Sequence, residues 1–277
     1  MEKTVLITGA YSGMGRVTAQ YLAECGYRVY ATSRDPERLR AEFEKSELSD
    51  PPRVVAMDLH SKSSVAQAVE TILQENKGID VLVNNAGYGL VATVEEAEEE
   101  EIIEQFQINL FGLLRVTRQV IPVMRRRQSG VIVNISSFLG RVGLPLLTFY
   151  NASKYAVEGV TDSLRLELAP AGIRVHSVMP GFFSTQFARK NLKVNAKIQS
   201  ETSPYAPLSR QLAPRIVEEI NHGNDPMEVA HAIRYLIETE EAPARVAVGE
   251  IAKKFLAMRR ELNDAEYEQR VRDSYGF

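Results

Sequence analysis

Tyr150 stands four residues before Lys154, and Ser137 lies twelve intervening residues upstream of the tyrosine. Positions i and i+4 share one face of a helix, so the phenol and the ammonium would emerge side by side. A cation that close favours the phenolate and lowers a reference pKa of roughly 10. A tyrosine tuned in this way passes protons near neutral pH. A serine hydroxyl delivered from a neighbouring strand would hold a substrate oxygen beside it. Surface helices carry the same spacing as a packed tyrosine and a solvated lysine, so the rest of the chain must decide between the two.

The first strand-like run ends in Thr8-Gly9-Ala10-Tyr11-Ser12-Gly13-Met14-Gly15 and passes into a helical pattern. Glycines there let the backbone turn tightly and approach a phosphate, and a helix N-terminus adds free N–H groups and partial positive charge. The spacing is G-x-x-x-G-x-G, not the familiar G-x-G-x-x-G. Eighteen positions beyond Gly15 stand Ser33 and Arg34, at the end of the second run. A carboxylate at that strand end would bind ribose hydroxyls, whereas an arginine accommodates a 2′-phosphate. The missing carboxylate and the guanidinium fork therefore favour NADP(H) over NAD(H). Asp35 follows, either as a partner for Arg34 or as the start of an Asp-Pro turn. The other strand ends carry Asp58-Leu59, Asn84-Asn85-Ala86-Gly87, Asn134-Ile135-Ser136-Ser137 and Pro180-Gly181. Small or polar tips at one edge are where open α/β sheets bind ligands.

The elements that must hold these residues alternate. Strand-like runs cover residues 4–8, 28–32, 54–57, 81–83, 131–135, 175–179 and 245–248. Most are continuously apolar, as in a parallel sheet covered on both faces. Helical patterns between them include 15–24, 63–75, 96–128 and 150–168. The pattern predicts an α/β fold: a Rossmann-type, doubly wound, mainly seven-stranded parallel sheet with helices on both faces. No composition break divides the chain, so residues 1–277 are expected to form a single domain. Residues 185–225 break the alternation with Pro204, Pro207, Pro214 and Gly223, and follow the sixth strand, which predicts a substrate lid.

Bulk properties narrow the function classes. The chain has 277 residues, 44% hydrophobic and 25% charged, with a net charge of −3. That balance gives no reason to expect nucleic acid or an anionic membrane as partner. No run approaches the roughly 20 apolar residues of a membrane span, and no signal peptide opens the chain. A lone cysteine, Cys25, reads as a small core residue and fits a reducing, cytoplasmic setting. The four histidines share no ligand spacing, so no metal site is expected. The glutamates of 95–101 read as a capping box on Thr93 and Glu96 followed by an acidic first turn, and Arg125–Arg127 as the basic end of the long helix.

With these residues in order, the chain resembles the short-chain dehydrogenase/reductase family. The likeness rests on TGAYSGMG at 8–15, NNAG at 84–87, Asn109 within INLFG, Ser137, YNASK at 150–154 and PGFFST at 180–185. It is dense from residue 3 to about 185 and looser beyond. Within the family it is most similar to NADP-preferring members of the 17β-hydroxysteroid dehydrogenase-like group, on YATSRD at 30–35 and the basic-aromatic tail from Met258 to Phe277. The resemblance implies an NADP-dependent interconversion of a secondary alcohol and a ketone. Tyr150 would be the general acid/base, and Lys154 would lower its pKa and hold the nicotinamide ribose. Ser137 would hydrogen-bond the substrate oxygen, and Asn109 would anchor a water linking Lys154 to solvent. The cofactor would rest on Gly9, Ser12, Gly13, Met14, Gly15, Ser33, Arg34, Asp58, Leu59, Asn85, Ala86, Gly87, Pro180, Gly181 and Thr185, with Asp58 toward the adenine and Thr185 at the carboxamide or phosphates. Ser12 stands where many NADP-preferring relatives carry a basic residue, so specificity would rest on Arg34.

Two other readings remain at this stage. A dinucleotide-sensing scaffold would keep the glycine turn and lose Tyr150 or Lys154, and both are present. A nucleotide-sugar epimerase would use the same pair within a longer chain. Apolar residues near the lid and the tyrosine, among them Phe182, Phe183, Phe187, Leu144 and Leu147, point to an apolar substrate. The long helix and the Tyr150 helix resemble those that pair in family dimers, so a homodimer is expected.

Overall fold

The computed structural model describes residues 2–46, 48–184 and 191–277. Its strands are β1 (Thr4–Ile7), β2 (Arg28–Ser33), β3 (Arg53–Ala56), β4 (Val81–Asn84), β5 (Gly89–Val91), β6 (Gly130–Ile135), β7 (Ile173–Pro180), β8 (Leu192–Val194) and β9 (Arg245–Val248). Seven of them form one parallel sheet in the order β3-β2-β1-β4-β6-β7-β9, and all seven were anticipated as strand-like runs. Alternate residues feed opposite faces. Val5, Ile7, Val81 and Val83 enter one core cluster, and Leu6 and Leu82 enter the other. Both faces are apolar because both are covered. The helices α1 (Gly13–Glu24) and α8 (Met227–Glu238) supply Leu22, Val229 and Ile233 to the first cluster. The helices α3 (Lys62–Glu75) and α5 (Leu113–Arg127) supply Ile72, Val116 and Val120 to the second.

Chain order reverses between β1 and β4, which are neighbours at the sheet centre. The crevice outside their carboxyl ends is the expected ligand position in such a fold. Short-range chemistry shapes this edge. Asp35 is the N-cap of α2 (Pro36–Glu44), accepting Arg38 N at 3.1 Å, so it starts the Asp-Pro turn. Helix α6 (Thr148–Leu168), which carries Tyr150 and Lys154, begins just past Leu146, which is held at φ 66°, a left-handed conformation uncommon for a leucine.

Several expectations are corrected. The long helical stretch is broken: α4 (Glu99–Phe106) passes through a π-helical turn, Gln107–Gly112, into α5. Its capping box is Glu98 with Glu101, not Thr93 with Glu96, because Thr93 Oγ1 instead donates to the Glu96 carboxylate at 3.4 Å. Residues 185–190 of the expected substrate lid lie outside the described residues; the remainder, to residue 225, holds β8 and a long helix, α7 (Ala206–Asn221), with Pro207 in its first turn and Pro214 inside. Proline suits a first helical turn, where the missing N–H is not needed. β8 pairs in parallel with β5, a two-stranded sheet that the sequence did not disclose. The acidic run does more than cap: Glu95 accepts Tyr205 Oη at 2.9 Å, Glu98 pairs with Lys197 at 2.6 Å, and Glu101 accepts Asn195 Nδ2 at 2.6 Å. Cys25 is not a core residue but the partly exposed C-cap of α1, with its Sγ 3.2 Å from an Arg234 nitrogen. Two further helices, α9 (Glu250–Glu261) and α10 (Asp264–Tyr275), close the chain. No helix among the described residues is long and apolar enough to cross a membrane.

Candidate active site

The glycine turn and the end of β4 are built as one piece. Thr8 Oγ1 accepts Asn85 N at 3.0 Å and Ala86 N at 3.1 Å, while Asn85 Nδ2 donates to Thr8 O and Gly9 O at 2.9 and 3.0 Å. Gly9 adopts φ 66°, and a β-carbon there would lie 2.7 Å from Ala86 Cα. Only glycine fits both constraints. Ser12 is the N-cap of α1 but makes no side-chain capping bond, so the cap leaves the first-turn N–H groups open. An uncapped helix N-terminus is a ready anion site.

This turn forms one wall of a cleft of about 450 Å³. Gly9, Ser12, Gly13, Met14 and Gly15 line it, as do Ser33, Arg34 and Leu59. Asn85, Ala86 and Gly87 form the floor beside β4, and Tyr150 and Lys154 close the far end. Thirteen residues singled out from sequence therefore meet at one cavity. Of the other described site residues, Asp58, Asn109, Ser137, Pro180 and Gly181 do not line it. Asp58 turns its carboxylate to His60 N at 3.0 Å, and Pro180 and Gly181 line a second cavity. Asn109 is buried beneath the surface, and Thr185 lies outside the described residues.

Sequence reasoning missed Arg38. It lines the cleft beside Arg34, with its guanidinium 5.0 Å from the Tyr11 ring centre. The signal was available: Asp35-Pro36 starts a helix, and Arg38 is four residues after Arg34. Lys193 on β8 and Glu104 on α4 also reach the cleft and were not foreseen.

The second cavity, about 70 Å³, is apolar: Phe138, Leu139, Phe182, Phe183, Ile216 and Ile220 line it together with Ser137. Tyr150 lines both cavities and so stands at their junction. Ser137 is buried at the end of β6, where its Oγ accepts Leu139 N at 3.1 Å and also hydrogen-bonds Tyr150. Lys154 Nζ donates to Ile135 O at 2.8 Å and lies 5.8 Å from the Tyr150 ring centre. Asn109 sits in the π-helical turn, where Nδ2 donates to Tyr88 O and Ser153 Oγ and Oδ1 accepts Tyr88 N. A β-carbon on Gly87 would fall 3.2 Å from Asn109 Oδ1 and 3.6 Å from Lys154 Nζ, so the missing side chain leaves a gap between them.

The electrostatics overturn one expectation. Burial pushes the Tyr150 phenol up to about 12, with the Ser137 hydrogen bond pulling the other way. Burial also brings Lys154 down to about 8, opposed by the charge of Glu158. Proximity to lysine was expected to lower the tyrosine. In the protein alone, desolvation of both groups is the larger effect, and the ammonium is drawn to a backbone carbonyl.

The family model for short chain dehydrogenase matches residues 3–195. The chain belongs to the short-chain dehydrogenase family. A 3-ketodihydrosphingosine reductase of Bacteroides thetaiotaomicron is 38% identical over 254 residues, 91% of this chain and 90% of that protein. A short-chain dehydrogenase from Streptomyces avermitilis superposes with a TM-score of 0.84 at 33% identity, covering 100% of this chain and 98% of that one. An actinorhodin polyketide ketoreductase solved with NADPH superposes at 0.75 with 32% identity, covering 89% and 95%. As a short-chain dehydrogenase, this chain is an oxidoreductase.

Proposed function

We propose that this chain reduces a ketone carried on a long apolar chain to a secondary alcohol, using NADPH, with Tyr150 as the proton donor. The observation that carries the reading is that Tyr150 lines both the polar cleft and the apolar pocket. A proton donor at that junction faces cofactor on one side and substrate on the other.

The residues present fit a dinucleotide. The uncapped α1 N-terminus and the tight turn at Gly9 suit a pyrophosphate. Arg34 and Arg38 line the cleft near Ser33 together with Asp35, whose carboxylate is engaged as the α2 cap by Arg38 N, and the two guanidinium groups suit a 2′-phosphate. When bound, the nicotinamide supplies the hydride. Lys154 would hold the nicotinamide ribose, Ser137 would hydrogen-bond the substrate oxygen, and together with Tyr150 it would stabilise the oxyanion as it develops. The apolar lining of the second cavity excludes water from that oxygen.

The NADPH of the actinorhodin ketoreductase and the name of the Bacteroides relative support the cofactor and the substrate class. A catalytically silent scaffold would not need Tyr150, Lys154 and Ser137 converging at one junction.

Following NADPH oxidation with 3-ketodihydrosphingosine and shorter-chain ketones tests the reading. Turnover should favour the long chain, and Tyr150→Phe should lower it by roughly 10²–10⁴-fold, the usual worth of general acid catalysis. Near-wild-type turnover by Tyr150→Phe would refute the mechanism.

A further inference from the structure

Glu158 lies one turn after Lys154 on α6 and is 2% exposed. Its Oε2 accepts Arg245 Nε, from β9, at 2.5 Å and lies 3.8 Å from Arg141 Nε, in the loop after Ser137. Its Oε1 is buried and has no hydrogen-bond partner among the described residues. Gly140 shows how closely this carboxylate stem packs behind the catalytic segment. A β-carbon there would lie 2.8 Å from Ser136 Oγ, 3.0 Å from Lys154 O and 3.1 Å from Glu158 Cγ.

As a tie between elements this arrangement is poor. Burying an ion pair costs desolvation that attraction barely repays, and well-packed apolar side chains hold such positions as well or better. Leaving one oxygen unpaired adds to that cost. A buried carboxylate one turn from a buried ammonium is better explained by what it does for the ammonium. Lys154 is 5% exposed, and among the described residues its Nζ hydrogen-bonds only a neutral carbonyl. Among the described residues no carboxylate pairs with it directly, so negative charge acts on it through space. Glu158 is the group that opposes the effect of burial on this lysine.

We propose that Glu158 is a positioning residue for the Tyr150–Lys154 pair: its carboxylate, held by Arg245 and Arg141, is the buried counter-charge that keeps the Lys154 ammonium in the site. This rests on the reading of Tyr150 and Lys154 as the proton-transfer pair. The charged groups around Glu158 are Arg245 from β9, Arg141 from the loop after β6, and Lys154 and Asp162 from α6 itself. Lys154 in turn faces Tyr150, the Asn109 amide across the Gly87 gap, and the Ile135 carbonyl. The signs follow from charge. Removing the Glu158 charge should make Lys154 easier to deprotonate. Removing the Arg245 charge should make it harder, because the carboxylate is then less neutralised.

The test is a pH titration of the full chain with carbon-13 at lysine Cε, the Lys154 signal being identified by its loss in Lys154→Arg. Glu158→Gln should lower the Lys154 midpoint by on the order of one pH unit, the usual effect of one nearby charge. Arg245→Gln should raise it. Both variants break the same tie between α6 and β9, so a merely structural role moves the midpoint in one direction for both, or in neither. Either of those results, in folded protein, overturns the proposal. Should Glu158→Gln not fold, Arg245→Gln decides alone: a rise supports the proposal, and a fall or no change overturns it. Tyr150→Phe separates the two levels. Opposed shifts with turnover retained in Tyr150→Phe would defeat the catalytic reading only. Absent shifts with Tyr150→Phe inactive would defeat only the role of Glu158.

Discussion

Replacing Gly9 with alanine tests whether the glycine turn is constrained by backbone or by packing. Gly9 holds φ 66°, and its added β-carbon would meet Ala86 at 2.7 Å from Cα and 2.8 Å from Cβ. The left-handed backbone alone costs an alanine roughly 1–2 kcal/mol. Forcing a methyl against a backbone atom adds an overpacking cost of roughly 1–3 kcal/mol. Ala86 does not yield easily, because its N–H is tied to Thr8 Oγ1 at 3.1 Å and its neighbour Asn85 to Gly9 O at 3.0 Å. The sum is about 2–5 kcal/mol, a drop in Tm of roughly 5–15 °C for a chain of this size. Gly26 is the control. It has φ 82°, and a β-carbon there meets nothing within 4 Å. Gly26→Ala therefore carries the backbone cost alone, a drop of roughly 3–6 °C. Thermal denaturation of both variants reads the difference, and fluorescence titration with NADPH reads the function. Gly9→Ala should lose affinity by about tenfold or more, since a shift of the turn misaligns several phosphate contacts, whereas Gly26→Ala should bind as wild type. A Gly9→Ala protein that melts no lower than Gly26→Ala would refute the packing constraint.

Arg38→Ala should weaken NADPH by roughly 10–100-fold, the worth of one charge-assisted contact, and leave NADH affinity within about twofold; fluorescence titration with both cofactors checks it. Lys154→Met should stabilise the fold near neutral pH while removing activity. The lysine falls from 10.5 to about 8 on folding, so the unfolded chain binds the extra proton and wild-type stability rises with pH between those values. Below about pH 8 the cost is complete, on the order of 3 kcal/mol, and the Tm gap between variant and wild type should close as pH climbs toward 10.5. The proposed homodimer would use the outer faces of α5 and α6, where Leu166 is 81% exposed. Leu166→Glu should convert a dimer to monomer by sedimentation; a wild-type monomer at micromolar concentration would refute the dimer.

The strands were legible because a parallel sheet covered on both faces needs uninterrupted apolar runs, and Val81–Asn84 or Gly130–Ile135 can be little else. The cleft was legible because each strand end carries residues chosen for close approach or hydrogen bonding. What escaped depends on tertiary contacts. β5 and β8 are three residues each, too short for a periodic signal, and exist because each completes the other. Helix α7 was hidden by two prolines, one of which a helix start accepts and one of which the helix tolerates inside. Helix α4 starts at Glu99 rather than at Glu96, because Glu98 and Glu101 cap each other while Thr93 is spent on Glu96. Arg38 was overlooked because the Asp35 ambiguity hid the helix that aims it.

The least legible property was the protonation of the pair itself, since spacing gives proximity but not burial. Desolvation drives Tyr150 and Lys154 toward their neutral forms together, one up to about 12 and the other down to about 8. At neutral pH the phenol thus holds its proton, the form that would donate in the proposed ketone reduction; oxidation would need the phenolate first. Two residues work against desolvation: Ser137 through its hydrogen bond to Tyr150, and Glu158 through its charge on Lys154. Glu158 packs against Gly140, whose N donates to Ser137 O at 2.9 Å; here the loop after β6 folds against α6, and no side chain fits without pushing on Ser136, Lys154 or Glu158. The tuning of the Tyr150–Lys154 pair in its proposed proton-transfer role would therefore depend on how closely that loop packs against the helix, a feature that lies behind the site and outside the motif that announces it.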